Sequence, residues 1–102
     1  MISGYYAPIA RTFHLGEVDA VSRSIWEANV AARAYAETLI EPGITCGEVV
    51  TKINNFFAER DLLQHRTAGY GHALGVMSHY YGREAAVIFR EDNETVLEDG
   101  MV

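Results

Sequence analysis

GYGHALGVMSHYYGR, residues 69–83, is the stretch around which the rest of the chain is organised. It contains His72 and, seven positions later, His79, together with three tyrosines, four glycines and Arg83. This much glycine disfavours both a helix and an uninterrupted strand, and it lets the backbone bend sharply or another group come close. Imidazoles can transfer protons near neutral pH, and a guanidinium can fork onto a carboxylate. The stretch therefore predicts a ligand-facing loop, with a turn-rich surface loop as the alternative.

A long helix is predicted before this loop, from Val18 to Ile40. Its apolar residues recur at alternating spacings of four and three, which draws one apolar stripe. The sequence Glu41-Pro42-Gly43 ends the helix. The stripe consists of Val21, Ile25, Ala28, Ala32, Tyr35 and Leu39.

A second helix is predicted to begin at Thr45 and to end near Arg60 or Asp61. Thr45 and Glu48 have the spacing of a capping box, in which side chain and backbone satisfy each other's hydrogen-bonding groups. The link between the helices is short, which predicts that they are neighbours. The buried face of the second helix should contain Val49, Ile53, Phe56, Phe57 and Leu62.

The remaining segments favour extended structure. Residues Ile2 to Phe13 read as an edge strand or two short strands, because Pro8 withholds a ladder donor. Ala85 to Phe89 reads as a short strand, and Gly100 to Val102 as the first residues of another. The expected class is α+β, with two adjacent helices packed on an antiparallel sheet. Because so few strands do not form a stable sheet alone, residues 1–102 are expected to be one partial domain of a larger protein.

The composition excludes several classes of function. The net charge of −6 in 102 residues argues against binding to nucleic acid or to an anionic membrane surface. No apolar run has the length of a membrane span. The single cysteine, Cys46, favours a reducing, cytoplasmic setting. Its place in the first turn of the second helix would lower the thiol pKa through the helix dipole, although we interpret it as structural.

GYGHALGVMSHYYGREA and REDNETVLEDGMV together resemble the creatinase (creatine amidinohydrolase) branch of the pita-bread family, which also contains aminopeptidase P and methionine aminopeptidase. GYYAPIARTF, IWEANVAA and EPGITCGEVV resemble further parts of the same catalytic domain, so the likeness covers essentially the whole chain. The resemblance implies a partial pita-bread fold and a parent protein that is a homodimer.

The resemblance also implies four substrate-binding residues. Arg83 falls where creatinases hold the substrate carboxylate, and the alternative is a surface arginine paired with Glu84 or Glu91. Tyr6 falls on a pocket tyrosine, with a sheet aromatic as the alternative. His72 and His79 fall on the two family histidines, with structural histidines as the alternative. His14 and His65 match no family site and are interpreted as surface residues.

No catalytic residue, metal ligand or cofactor is expected within the chain. The resemblance implies that the general base lies upstream of Met1. Pro8, which cannot bind a metal, stands where metal-dependent relatives place an aspartate, and one histidine is not a two-metal site. Ala10 stands where creatinases place a glutamate that holds the guanidinium group, which weakens creatine itself as the substrate.

Three functions follow as hypotheses. The first is part of a metal-independent hydrolase that cleaves a non-peptide C–N bond of a small guanidino or amidine acid, and that is inactive in isolation because the base is missing. The second is an Xaa-Pro-type metalloaminopeptidase relative, which requires two metal ions. The third is a non-catalytic binding module on the same fold.

Overall fold

Two α-helices, α1 (Ala20–Leu39) and α2 (Cys46–Ala58), and a short 3-10 helix (Leu63–His65) are the helical elements found. The computed structural model describes residues 4–75 and 87–102. Both predicted helices are confirmed, and their ends differ from the predicted ones by two or three residues at most. No helix in the described residues is long and apolar enough to cross a membrane.

The Asp19 side chain caps the N-terminus of helix α1. The Asp19 carboxylate accepts a hydrogen bond from the backbone N–H of Ser22 at 2.9 Å and another from the Ser22 hydroxyl at 2.7 Å. These bonds replace partners that the first turn of a helix lacks, and they lower the pKa of Asp19. Beyond Leu39 the chain turns at Gly43, whose φ of +96° lies in the region that glycine tolerates.

Helix α2 begins with the predicted capping box. The Thr45 hydroxyl oxygen accepts from the backbone N–H of Glu48 at 3.1 Å, and the Glu48 carboxylate accepts from the backbone N–H of Thr45 at 2.9 Å. The bonds from Thr45 lower the pKa of Glu48. The helix ends at Ala58, earlier than predicted, because the chain turns at Asp61 with a φ of +55° and Leu62 donates back to the Phe57 carbonyl at 3.0 Å.

The core lies between α2 and the segment of residues 93–97. The backbone N–H groups of Cys46 and Gly47 donate to the carbonyls of Thr95 at 2.9 Å and Asn93 at 2.8 Å. The segment therefore satisfies donors that the first turn of α2 leaves open. The buried apolar residues are Ala32, Cys46, Val49, Val50, Ile53 and Leu97.

The aromatic residues of α2 join the helices to the site described below. Phe56 and Phe57 are half-buried, as is Leu62, so the predicted buried face is fully closed only at Val49 and Ile53. Tyr35 of α1 stacks on Phe56 with ring centroids 5.6 Å apart. This contact confirms that the two helices are neighbours.

The antiparallel sheet is not confirmed in residues 4–75 and 87–102. In these residues, isolated antiparallel bridges join Thr45 to Val96 and His72 to Ile88, and no continuous strand is found. The first bridge cannot grow into a ladder because the chain enters α2 directly after Thr45. The described part of the expected edge strand before Phe13 has a bridge residue at Tyr5 but no continuous strand, and it is exposed from residue 4 onward.

Candidate functional site

His72 lies in a segment that is paired backbone to backbone with residues 87–89. Phe89 donates to the Gly71 carbonyl at 2.9 Å, and Ala73 donates to the Val87 carbonyl at 2.8 Å. A Cβ atom on Gly69 would lie 2.9 Å from the Phe89 carbonyl oxygen. Only glycine permits this close approach, so the predicted use of glycine in this stretch is confirmed at that position.

The His72 ring has a defined tautomer in its neutral form. Its Nδ1 lies 2.8 Å from the carbonyl oxygen of Ala73. A carbonyl oxygen only accepts, so Nδ1 carries the proton and Nε2 is the basic nitrogen. Nε2 can then accept a hydrogen bond from an amidinium N–H or from a water that is about to attack.

Four side chains form a polar network beside His72, and we call it the Tyr70 network: Asn54, Arg66, Tyr70 and Glu91. The Tyr70 hydroxyl donates to Asn54 Oδ1 at 2.7 Å, and Arg66 Nη1 donates to the same oxygen at 2.9 Å. Arg66 also donates to both carboxylate oxygens of Glu91, and Asn54 Nδ2 donates to Glu91 Oε1 at 3.0 Å. The network connects α2, the chain before Gly69 and the chain after Phe89.

The charges of the Tyr70 network are matched. The hydrogen bonds from Arg66, followed by that from Asn54, lower the pKa of Glu91 to about 2. The hydrogen bond to Glu91 raises the pKa of Arg66. Burial raises the pKa of Tyr70. At neutral pH the network therefore contains a carboxylate, a guanidinium and a neutral phenol that acts as a donor.

An open groove of about 890 Å³ runs along this network. Its walls include all four network residues and His72. The groove places the His72 imidazole beside a polar wall whose charges are already paired, and its size suits a small ligand.

Of the other predicted site residues, the structure describes Tyr6. Tyr6 is 43% exposed, and its backbone N–H donates to the Gly75 carbonyl at 2.9 Å, at the end of the His72 segment. Arg83 and His79 lie outside the described residues. Glu91, one of the alternative partners considered for Arg83, is paired with Arg66.

His14 and His65 are exposed, as predicted. Cys46 is fully buried and unpaired by disulfide, which fits a structural role. The expectation that the helix dipole lowers its thiol pKa is wrong, because burial raises that pKa.

The Tyr70 network was missed in the sequence. Asn54 and Arg66 are twelve residues apart, and Glu91 lies another 25 beyond Arg66, so no local spacing connects them. One signal of this region was present in the sequence. Tyr70 and His72 are two positions apart, so their side chains share one face of an extended segment.

A metal centre is not supported by the side chains that the structure describes. Within residues 4–75 and 87–102, no three histidine, cysteine, aspartate or glutamate side chains come together in a group that could hold a metal ion. Pro8 has no ligating side chain. These residues therefore do not by themselves fit a metal site, and no chemical step is assigned to one.

Comparison with known proteins identifies the family of this chain. The sequence profile of metallopeptidase family M24 matches residues 1–102, and the chain belongs to this family. Two prolidase structures have the same fold. The prolidase from Pyrococcus horikoshii OT3 has a TM-score of 0.84 at 28% identity over 96% of this chain, and that from Pyrococcus furiosus has 0.85 at 25% identity over 97%. The fold is therefore the pita-bread fold.

Within the family, the chain is similar to creatinase. It is 49% identical to the creatinase of Bacillus sp. (strain B-0618) over all 102 residues, which make up 25% of that protein. It is 30% identical to an Xaa-Pro dipeptidase of Pyrococcus horikoshii over 98 residues, or 26% of that protein. The chain thus spans about a quarter of the length of these relatives, and of the solved prolidases it covers 27% and 28%.

Proposed function

We propose that the chain is part of the catalytic domain of a hydrolase that cleaves a non-peptide C–N bond of a small guanidino or amidine acid without a metal ion. The observation that carries this proposal is the 49% identity to a creatinase over the whole chain, compared with 30% to an Xaa-Pro dipeptidase. In the resembled enzyme the reaction converts creatine to sarcosine and urea. Ala10, where creatinases have a glutamate, favours a related acid over creatine itself.

His72 acts on the substrate through Nε2 in this proposal. The bond from Nδ1 to the Ala73 carbonyl leaves Nε2 as the basic nitrogen. That nitrogen accepts from the amidinium end of the substrate or from the attacking water. His79 and Tyr6 complete the contacts, and Arg83 binds the substrate carboxylate, for which a planar guanidinium is well suited.

The hydrolysis itself needs a general base and a leaving-group acid. A histidine takes a proton from water, the water oxygen attacks the amidine carbon, and the same histidine returns the proton to the leaving amine. Binding of both ends of the substrate orients the carbon for attack. We propose that the base is supplied from outside residues 1–102, and that the protein works as a homodimer.

The test uses the longest product of the gene that contains residues 1–102. Release of urea or of an amine from a panel of guanidino and amidine acids is measured before and after treatment with a metal chelator. We expect turnover that the chelator does not reduce. Absence of turnover on the whole panel contradicts the proposal.

Variants of Arg83 and His72 test the assigned roles. Arg83→Ala should raise KM for the acid by about a hundredfold, since a charged hydrogen bond contributes roughly 1.5–3 kcal/mol, whereas Arg33→Ala, at an exposed arginine of α1 that does not line the groove, serves as the control. An unchanged KM contradicts the role of Arg83. His72→Asn should raise KM, and a loss confined to kcat would instead make His72 the general base.

The second candidate is a metal-dependent Xaa-Pro dipeptidase. Both prolidase structures and the dipeptidase at 30% identity favour it. It requires stoichiometric manganese, zinc or cobalt in the purified protein and cleavage of Xaa-Pro dipeptides that the chelator abolishes. That result would replace the first proposal.

A further inference from the structure

Tyr70 is held at three points of its side chain. Its hydroxyl donates to Asn54 Oδ1 at 2.7 Å. Its ring is stacked on that of Phe57, with centroids 6.0 Å apart and planes 11° from parallel. The Arg66 guanidinium carbon lies 4.5 Å from the ring centroid, within the range of a cation–π contact.

Because the backbone joins Tyr70 to His72, contacts that restrain Tyr70 also restrain His72. The two residues are two positions apart in an extended segment, so their side chains leave the same face, and both line the groove. Gly71 between them has no side chain with which to anchor the segment. Backbone pairing with residues 87–89 holds one side of this segment, and the Tyr70 side chain connects the segment to Asn54 and Phe57 of α2.

The Tyr70 network is not itself arranged to receive a ligand. Both carboxylate oxygens of Glu91 accept from Arg66, and Oε1 also accepts from Asn54. Arg66 Nε donates to the Ala68 carbonyl at 2.8 Å. The donors and acceptors serve one another and the backbone next to Gly69, which is the arrangement expected of a support.

We propose that Tyr70 is a positioning residue for His72. The hydrogen bond from Tyr70 to Asn54 maintains the orientation of the His72 imidazole in which Nδ1 faces the Ala73 carbonyl. This inference rests on the proposed function only in that His72 contacts the substrate. The orientation of the imidazole can be measured without turnover.

Tyr70→Phe tests this role because it removes the hydroxyl and keeps the ring. The protein is labelled with ¹⁵N histidine, and the imidazole nitrogen shifts of His72 report which nitrogen carries the proton. We expect the signals to move from the Nδ1–H form toward a mixture of tautomers. Tyr35→Phe is the matched control, because Tyr35 stacks on Phe56 and not on Phe57, and it should leave the His72 signals unchanged.

Kinetics add a second readout on the longest gene product. Tyr70→Phe should raise KM in the same direction as His72→Asn but by a smaller factor, about threefold to tenfold, with kcat within about twofold of the original value, because a misoriented imidazole binds the substrate less well. Unchanged His72 signals together with an unchanged KM overturn the proposal. If no guanidino acid is hydrolysed at all, the proposed function fails, and the NMR shifts alone decide the positioning role.

Asn54→Ala keeps the proposal testable if Tyr70→Phe has a folding defect. It removes the acceptor and leaves Tyr70 intact, so it should shift the His72 signals in the same direction as Tyr70→Phe. The double variant should add no further shift to that of Asn54→Ala, because the Tyr70–Asn54 bond is already broken in that variant. His72 signals in Asn54→Ala that match those of the unsubstituted protein overturn the proposal.

Discussion

The regions around α1 and α2 have similar amphipathic sequences and very different burial. In α2, Cys46, Val49, Val50 and Ile53 are buried. In α1, Ala32 is the one buried residue, while Val21 is 68% exposed and Trp26 50% exposed. The apolar stripe predicted on α1 is present in the sequence but is covered only where it meets α2.

The difference lies in the partners that each helix meets. Helix α2 contacts α1 on one side and the 93–97 segment on another, and that segment closes over its first turn through backbone hydrogen bonds. Among the described residues, α1 has α2 as its helical partner, with contacts such as Tyr35 on Phe56. A 3.6-residue apolar pattern shows that a face favours burial, but not what covers it.

The largest expected contrast comes from truncating one isoleucine in each helix. Ile53→Ala should reduce the free energy of unfolding by about 3 kcal/mol, because it leaves a cavity in a closed site. Ile25→Ala, at a residue that is 42% exposed, should cost less than about 1 kcal/mol. Urea unfolding of both variants measures the difference. Equal losses would mean that the α1 stripe is covered in solution by another chain or segment.

A smaller contrast is expected at the two helix caps. Thr45→Ala removes the capping box of α2 and should cost about 1 kcal/mol of unfolding free energy, whereas Thr45→Ser should retain most of it. Asp19→Ala should cost less, because the first turn of α1 is exposed to water that replaces the lost bonds. Urea midpoints give the order. A larger loss for Asp19→Ala would show that α1 is the more tightly coupled helix.

The smallest expected effect is the pH dependence of the Tyr70 network. The pKa of Glu91 is lowered from 4.5 to about 2 in the folded chain. Its contribution is therefore fully present above about pH 4.5 and is lost as the pH falls toward 2. The side chain is 54% exposed, so screening by water limits the contribution to about 1 kcal/mol.

Glu91→Gln provides the comparison for this effect. The difference in unfolding free energy between the two proteins should shrink between pH 5 and pH 2, as acid protonates Glu91 in the unsubstituted chain. Glu37→Gln, which breaks the exposed pair with Arg33 on α1, should cost less at neutral pH. A difference that stays constant with pH would contradict the assignment of the low pKa to Glu91.

The candidate site was only partly predictable from the sequence. The glycine-rich composition and the resemblance to creatinases indicated His72 and the segment around it, because both of these signals come from residues that are adjacent in the sequence. The partners of that segment were not predictable. Asn54 and Glu91 are brought together by the fold, across 37 residues, and no periodicity connects them.

The sequence by itself determined the two helices, the capping box of α2 and the family. Helix periodicity, the Thr45 and Glu48 spacing and the Gly69–Arg83 stretch are local, so they can be read from one chain. Only the tertiary structure decided which faces are buried, that burial overrides the helix dipole in setting the pKa of Cys46, and that the four side chains of the Tyr70 network meet beside His72. Those outcomes depend on long-range neighbours, because desolvation and hydrogen-bond geometry are properties of packed surroundings and not of spacing along the chain.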